Sequence, residues 1–449
     1  MEDRYDIVVV GGGLAGLAAA ALAGREGRRV LLLERSSTLG GRAQTFEQEG
    51  FYFNEGAHAF SRGGPAQEVL DSLGVKYEGA EPLFGGFRVV KDGRLHRFPL
   101  RATSLLFSDL FSTRDKVEVA RAFTRFKQMR PADYDSVPFS DFLTTEVRSP
   151  AVRHYVRAVT RFATYSGADD GFSAGAAVRA LSGSGKVLYL DYGWHTLVAG
   201  ARNRNGQAPA EGLRAKAEAA GVEIETGARA AAVLIENGQV SGVAVDGAGI
   251  ARATAVVLAV EPQRAAALLA ESGLSEPRRW AEQAVPQRVA ALDLGLRRLP
   301  VKDLPLALSL DQAMYCSVQS SVAKLAPEGQ AAVALIKYLR PGESGTAQAQ
   351  AELEAYMDLL QPGWREFEVA RQYMPAATVH AWLPRADQGG LAAHPGPVVH
   401  GVQGLYLAGE WTSREHTLAN AAFDSARQAA SLAAAYSMRT SMALARGAA

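Results

Sequence analysis

Residues 6–34 read DIVVVGGGLAGLAAAALAGREGRRVLLLE. The run from Asp6 to Val10 is short, apolar and β-branched, which predicts a buried strand. Three glycines interrupt it. An alanine-rich stretch follows and closes at Gly27, which predicts a helix. Residues 28–34, RRVLLLE, predict a second strand. The segment is a strand–turn–helix–strand unit, the start of an α/β fold with a parallel sheet.

Gly11, Gly13 and Gly16 satisfy the G-x-G-x-x-G spacing. The pattern is weak alone, but here it follows a strand and opens a helix. Each glycine has a separate physical role. Gly11 permits the tight turn, Gly13 allows a pyrophosphate to approach the backbone, and Gly16 allows the helix to pack on the strand. Leu14 and Ala15 start the helix, whose free N–H groups and positive dipole end attract phosphate. Glu34 ends the second strand, 18 residues after Gly16. Its carboxylate can accept hydrogen bonds from ribose hydroxyls and repels a 2′-phosphate, which disfavours NADP. The alternative is a glycine-rich turn with no ligand. Strand, helix and acid together argue against it.

Two further segments extend the pattern. RSSTLGGRAQT (35–45) brings Gly40, Gly41 and Arg42, a second glycine surface with a fixed positive charge for a diphosphate or a ring edge. GFYFNEGAHAF (50–60) brings Gly56, Ala57 and His58, where the backbone can approach a flat ring. Near the other end, residues 404–430 read GLYLAGEWTSREHTLANAAFDSARQAA. Here a strand-like run stops at Gly409 and a carboxylate, Glu410, before an alanine-rich helix.

Helices are expected at 67–74, 114–129 and 149–165. The second has Val117, Val119, Ala120, Phe123 and Phe126 at helical spacing, and the third a Ser-Pro start. Ser140 marks a helix start within 131–143. Residues 187–201 read as strand, turn and helix. Residues 221–245 alternate around Asn237-Gly238, a hairpin signal. Strands are expected at 251–262, 288–296 and 331–339, and a helix at 346–360.

Together these residues resemble the FAD-dependent amine-oxidase superfamily, closest to its phytoene-desaturase-like (carotenoid desaturase) branch. The matching pieces also include RFATYSGADDGFSAGAA, LDYGWHTLVAG and ATAVVLAVEP, and they span nearly the whole chain. The resemblance implies an α/β fold: a discontinuous Rossmann-type FAD-binding domain (1–75, 185–262 and 396–449) with an inserted mixed α+β substrate domain (76–184 and 263–395). It implies that Gly11, Gly13, Leu14, Ala15 and Gly16 contact the FAD diphosphate. Glu34 would bind the ribose, with Arg35 beside the adenosine. Gly41, Arg42 and Ala43 would line the diphosphate and ribityl path, and Gly56, Ala57 and His58 the isoalloxazine. Ala230 stands where the family commonly has a valine that bonds adenine through its backbone. Gly409-Glu410 would serve the ribityl chain or the diphosphate. Leu418, Ala419 and Asn420 would begin a helix aimed at the flavin, stabilising negative charge on the reduced ring.

Departures from the family pattern matter as well. No cysteine lies near the C-terminal motif, so the FAD is expected to be non-covalent. Lys302 is a candidate for a water-holding lysine, without a secure alignment. Trp411 could sit by the ring, and Tyr165 and Tyr192 could line a pocket. All three read more readily as packing. His195 and His416 are not assigned a role.

The chain has 449 residues, 48% of them hydrophobic, enough for more than one core. Lys+Arg number 48 and Asp+Glu 47, so nothing favours a nucleic-acid partner or a strongly anionic membrane. The one cysteine, Cys316, rules out an internal disulfide and reads as a small buried hydrophobe. No Cys/His spacing suggests a metal site. The N-terminus lacks a signal-peptide pattern and no apolar run reaches about 18 residues, so a soluble, cytoplasmic protein is expected.

Residues 98–111, FPLRATSLLFSDLF, form an apolar patch. It either dips weakly into a membrane to collect a lipid-like substrate, or covers the active site as a helix pair. Basic residues do not concentrate around it, which favours the cover. The expected activity is an FAD-dependent oxidoreductase, a desaturase or dehydrogenase, that takes a hydride from a C–H bond of an apolar or partly apolar small molecule such as a terpenoid, polyene or secondary metabolite. The alternatives are an amine oxidase forming an imine and hydrogen peroxide, and an FAD-dependent isomerase with no net oxidation.

Overall fold

The computed structural model describes residues 4–55, 58–82, 85–99, 102–167, 170–183, 186–200 and 211–447. Two seven-stranded sheets dominate it. In the first, strands Glu223–Thr226, Val30–Glu34, Arg4–Val10, Gly249–Leu258, Gln239–Val245 and Ala230–Glu236 lie in that order. Leu405–Leu407 pairs in parallel with Gly249–Leu258. Arg4–Val10 lies parallel to both of its neighbours. Both faces are covered, which is why these strands read as unbroken apolar runs. Ile7 and Val9 pack under helices Leu14–Arg25 and Leu418–Gly447, while Val8 and Val10 face the opposite cluster with Trp280, Trp382 and Trp411. The hairpin expected at Asn237-Gly238 is present, with φ of 52° and 74° at the two residues. Both positive values are what a two-residue type I′ turn requires.

The second sheet runs Glu368–His380, Gln287–Leu296, Ala331–Tyr338, Met314–Ser317, Leu306–Ser309, Arg88–Lys91 and Arg94–Arg97. It is antiparallel except where Leu306–Ser309 meets Arg88–Lys91. One face carries a helical roof that includes Thr113–Phe126, Phe139–Glu146, Pro150–Thr164 and Ala174–Ser182. The other face packs on helix Ala347–Leu360. Helix Pro150–Thr164 starts as its sequence predicts: the Ser149 hydroxyl accepts from the Val152 N–H, and Pro150 follows.

Some local expectations shift. The helix placed at Ser140 begins one residue earlier, at Phe139, with Pro138 before it. Burial of the Phe139 ring sets the start, so Ser140 lies inside the first turn rather than capping it. Strand Glu368–His380 has no counterpart in the sequence reading. Within 98–111, Leu110 and Phe111 are buried, whereas Leu106 and Phe107 are 65% and 78% exposed. No helix among the described residues is long and apolar enough to cross a membrane.

Candidate active site

The glycine turn at 11–13 joins strand Arg4–Val10 to helix Leu14–Arg25. Gly11 has φ +110°, and a side chain there would overlap the carbonyl of Ala259. A methyl group on Gly16 would overlap the carbonyl of Gly11. Gly13 differs: the nearest atom to a methyl group on it is the Gly40 carbonyl, 3.9 Å away. Gly11 and Gly16 are therefore tight for packing, and Gly13 is open towards a cavity. Gly13 is also the helix N-cap and offers no side-chain cap, so the first N–H groups are left for an anion.

Glu34 closes this first half. Its Oε2 accepts from the Gly12 N–H at 2.6 Å and its Oε1 from the Ser36 N–H at 2.8 Å. The Gly12 carbonyl accepts from the Gly40 N–H at 2.8 Å, which draws in the second glycine turn. That turn, Gly41–Ala43, follows Gly40 at φ +116°. Arg42 Nη1 donates to the Val379 carbonyl at 3.0 Å and lies 3.4 Å from Glu410 Oε1. His58 donates through Nε2 to the Arg42 carbonyl at 2.9 Å, and its ring meets Trp194 edge-on.

The C-terminal half comes from Gly409 onward. The Gly409 N–H donates to the Ser425 hydroxyl, which donates back to the Gly409 carbonyl, both at 2.9 Å. Glu410 is 5% exposed. Its Oε1 accepts from the Ala381 N–H, and its Oε2 lies 3.7 Å from His380 Nδ1. Burial by itself would raise the Glu410 carboxyl. His380, Arg42 and the Ala381 N–H outweigh it and hold the group at about 2. Helix Leu418–Gly447 then begins with Leu418 at φ +56°, an uncommon conformation for a branched side chain. The Asn420 Oδ1 accepts from the Ala66 N–H at 3.1 Å, so that side chain caps helix Pro65–Leu73 instead of facing the site.

These parts enclose one cavity of about 550 Å³. Of the residues expected in the site, Gly11, Gly13, Leu14, Ala15, Glu34, Arg35, Gly41, Arg42, Ala43, His58, Ala230, Gly409, Glu410, Leu418 and Ala419 line it. Gly16 does not, and acts one layer back through its packing on Gly11. Gly56 and Ala57 lie outside the described residues. The Ala230 carbonyl accepts from the Arg264 guanidinium. Lys302 is exposed in a turn and does not line the cavity. Tyr192 packs edge-on to Tyr52, and His195 stacks on the same ring, both away from the lining. His416 is not part of the lining either. Trp411 does line it, but its ring lies between Trp280 and Trp382 and its Nε1 donates to the Val260 carbonyl at 2.9 Å. Tyr165 lines the cavity at φ +55°, where helix Pro150–Thr164 ends.

Several lining residues escaped the sequence reading. Thr378 and Val379 arrive on strand Glu368–His380, whose alternation is broken by Pro375 and by bulges. Arg229, Glu261 and Arg264 also line the cavity, and Arg264 feels the charges of Arg229 and Arg35. Glu55 and Trp194 sit inside motifs quoted above, and only the fold turns them inward. Burial raises the Glu55 carboxyl above its ordinary value.

The family described as flavin containing amine oxidoreductase matches residues 14–434. All-trans-retinol 13,14-reductase of Macaca fascicularis is 39% identical over 76 residues, 16% of this chain and 12% of that protein. Mitochondrial protoporphyrinogen oxidase of Nicotiana tabacum is 29% identical over 124 residues, 26% of this chain and 25% of that protein. Among solved structures, an oxidoreductase from Methanosarcina mazei superposes with a TM-score of 0.72 at 18% identity, covering 95% of this chain and 99% of that one. Cyclohexylamine oxidase from Brevibacterium oxydans superposes with a TM-score of 0.68 at 17% identity, covering 98% and 100%. At such identities the structures establish the α/β fold, and the curated relatives are matched over a quarter of their length or less.

Proposed function

This chain belongs to the flavin containing amine oxidoreductases, and we propose that it binds FAD non-covalently and removes a hydride from a C–H bond of an apolar or partly apolar small molecule. The observation that carries this reading is the make-up of the cavity. Its lining includes the charged residues Glu34, Arg35, Arg229, Glu261 and Arg264 and the apolar or aromatic residues Tyr165, Trp194, Val379, Leu418, Ala419 and Ala422. A dinucleotide with a polar nucleoside and a flat ring suits a lining with both characters. The open Gly13 face and the uncapped helix start suit its diphosphate. Cys316 is buried on strand Met314–Ser317 and away from the lining, which supports non-covalent attachment.

When bound, the flavin supplies a two-electron acceptor for the hydride. The chain supplies the positioning. Tyr165 and Trp194 give flat apolar walls that exclude water and orient a substrate. The start of helix Leu418–Gly447 would direct its positive end at the ring, favouring negative charge there. Amine oxidation is the second reading. Glu55 supports it, as a carboxylate in the cavity lining able to attract an ammonium group.

The test is anaerobic mixing of the purified flavoprotein with a panel of apolar alcohols, polyenes and amines, following the visible flavin absorption. Bleaching by apolar compounds is expected. Bleaching by amines alone would move the assignment to the second reading, and a protein that retains no FAD would end both.

A further inference from the structure

Residues 227–230 are stitched to the end of strand Val30–Glu34. The Gly227 N–H donates to the Ser36 carbonyl at 2.8 Å, and the Ala228 N–H to the Glu34 carbonyl at 2.9 Å. The two backbones therefore run side by side past Glu34 and Arg35. Glu34 keeps its carboxylate on the Gly12 and Ser36 N–H groups. Ala228, Arg229 and Ala230 line the same cavity as Glu34 and Arg35.

Helix Pro262–Leu268 approaches this corner from the next strand. Trp411 Nε1 donates to the Val260 carbonyl at 2.9 Å, which fixes the chain just before the helix. From the first turn, Arg264 donates through Nη2 to the Ala230 carbonyl. That contact uses one of the five N–H donors of a guanidinium. Arg264 is partly buried and lines the cavity. Among the described residues, neither Arg264 nor Arg35 is ion-paired, while Arg229 lies 3.6 Å from Asp246. Burial and the charges of Arg229 and Arg35 lower the Arg264 guanidinium below its ordinary value. A cation held near like charges, with a single carbonyl for a partner, is placed for a ligand and not for a structural ion pair.

Two chemistries suit a guanidinium there, an anion and a flat aromatic face. Glu34 stands in the same stitched corner and repels a phosphate, as it does a 2′-phosphate. An uncharged base offers the face and meets no repulsion. We propose that Arg264 is the adenine-recognising residue of the cofactor site, its guanidinium plane lying on the face of the base whose ribose Glu34 binds. This rests on the proposed binding of FAD and goes beyond it, because it gives base recognition to a side chain as well as to the backbone of Ala230. The carbonyl contact holds the guanidinium in place beforehand, so less side-chain freedom is lost on binding. The positive plane is attracted to the electron cloud of the ring.

The experiment is fluorescence titration of the flavin-free full chain with FAD, and with FMN, which lacks the adenosine, for the parent, Arg264→Met and Arg264→Lys. Methionine keeps an apolar stem and removes the guanidinium; lysine keeps the charge and removes the plane. FAD affinity is expected to fall about ten-fold in Arg264→Met, the scale of one desolvated cation–ring contact. Arg264→Lys should regain less than about a third of that loss, and FMN affinity should change less than about two-fold in either variant. The proposal is overturned if Arg264→Met binds FAD as tightly as the parent. It is also overturned if Arg264→Lys restores the parental affinity, which would mean an anion partner, or if FMN affinity falls as far as FAD affinity, which would mean a distorted site. If Arg264→Met does not fold, Arg264→Lys against the parent decides the outcome. A parent that binds no FAD removes the proposed function and this inference together, whereas a parent that binds FAD and is matched by Arg264→Met removes only the role of Arg264.

Discussion

Arg42 Nη1 lies 3.4 Å from Glu410 Oε1, joining two residues 368 positions apart in the chain. The same guanidinium donates to the Val379 carbonyl, so one side chain ties the second glycine turn to both the C-terminal motif and the second sheet. The Glu410 carboxylate is thus a structural junction as well as a wall of the cavity. Glu410→Gln removes the charge that balances Arg42 and weakens the contact to His380. It should lower the stability of the flavin-free protein by about 1–3 kcal/mol and weaken FAD retention. Urea denaturation and flavin content after gel filtration measure the two effects. Glu410→Arg would place a third cationic or protonatable group beside Arg42 and His380, so its damage should reach folding itself. Unchanged urea midpoints in Glu410→Gln would remove the junction role.

The pH dependence should carry two opposite signatures. Glu410 has its folded value depressed to about 2, against about 4.3 for a free glutamate. Its contribution is therefore present above about pH 4.3 and is lost as pH falls towards 2. Glu410→Gln should flatten that acid limb. Asp293 has its folded value raised by burial. Its contribution is full below about pH 3.9, the free aspartate value, and is lost as pH rises towards the folded value. Asp293→Asn should therefore gain stability over the parent as pH rises above about 4, with a slope of up to about 1.4 kcal/mol per pH unit until the folded value is reached. Parallel stability curves for parent and variant would contradict a buried neutral acid.

Gly13 and Gly16 should fail in different ways. Gly16→Ala forces a methyl group into the Gly11 carbonyl and should destabilise the apoprotein by about 1–3 kcal/mol or prevent folding. Gly13→Ala meets open space at a φ of −76°, so the apoprotein should stay within about 1 kcal/mol of the parent. Its methyl group would instead stand where the diphosphate approaches, and FAD affinity should fall at least about ten-fold. Thermal melts of apoprotein alongside FAD titrations separate the two. Equal FAD affinity in Gly13→Ala and parent would place the diphosphate elsewhere.

Glu34 should act on the nucleoside alone. Both of its oxygens accept backbone N–H groups, at Gly12 and Ser36. Glu34→Gln turns one acceptor into a donor facing a donor and removes the charge offered to the ribose. FAD affinity should fall about ten-fold, the worth of one charge-assisted hydrogen bond, while affinity for FMN, which lacks the adenosine, should barely change. Fluorescence titration with each flavin is the measurement. Equal losses for both would mean that Glu34 shapes the turn and not the ribose pocket.

Much of the first sheet was legible because its signals are local. The run 6–10, the glycine spacing, Glu34 and the Asn237-Gly238 turn each depend on neighbours within a few residues, where periodicity and φ preference act. Many residues of the cavity lining were legible for the same reason, since the turns that hold them are built from short motifs. Trp411 and Lys302 were harder. An aromatic next to a motif and a lysine in a turn carry no local mark of which way they face. Trp411 proved to be packed between two other tryptophans, and Lys302 to be on the surface.

The sequence by itself determined that a strand, an open glycine turn and an acid stand together, because bond geometry and steric limits leave that segment few alternatives. Only the tertiary structure decided that strand Glu368–His380 brings Val379 to Arg42, that Glu410 is held by His380 and Ala381, and that Asp293 is buried in the second sheet. Those relations join segments tens to hundreds of residues apart. They are set by which apolar faces pack together across the whole chain, and no window of neighbouring residues contains that information.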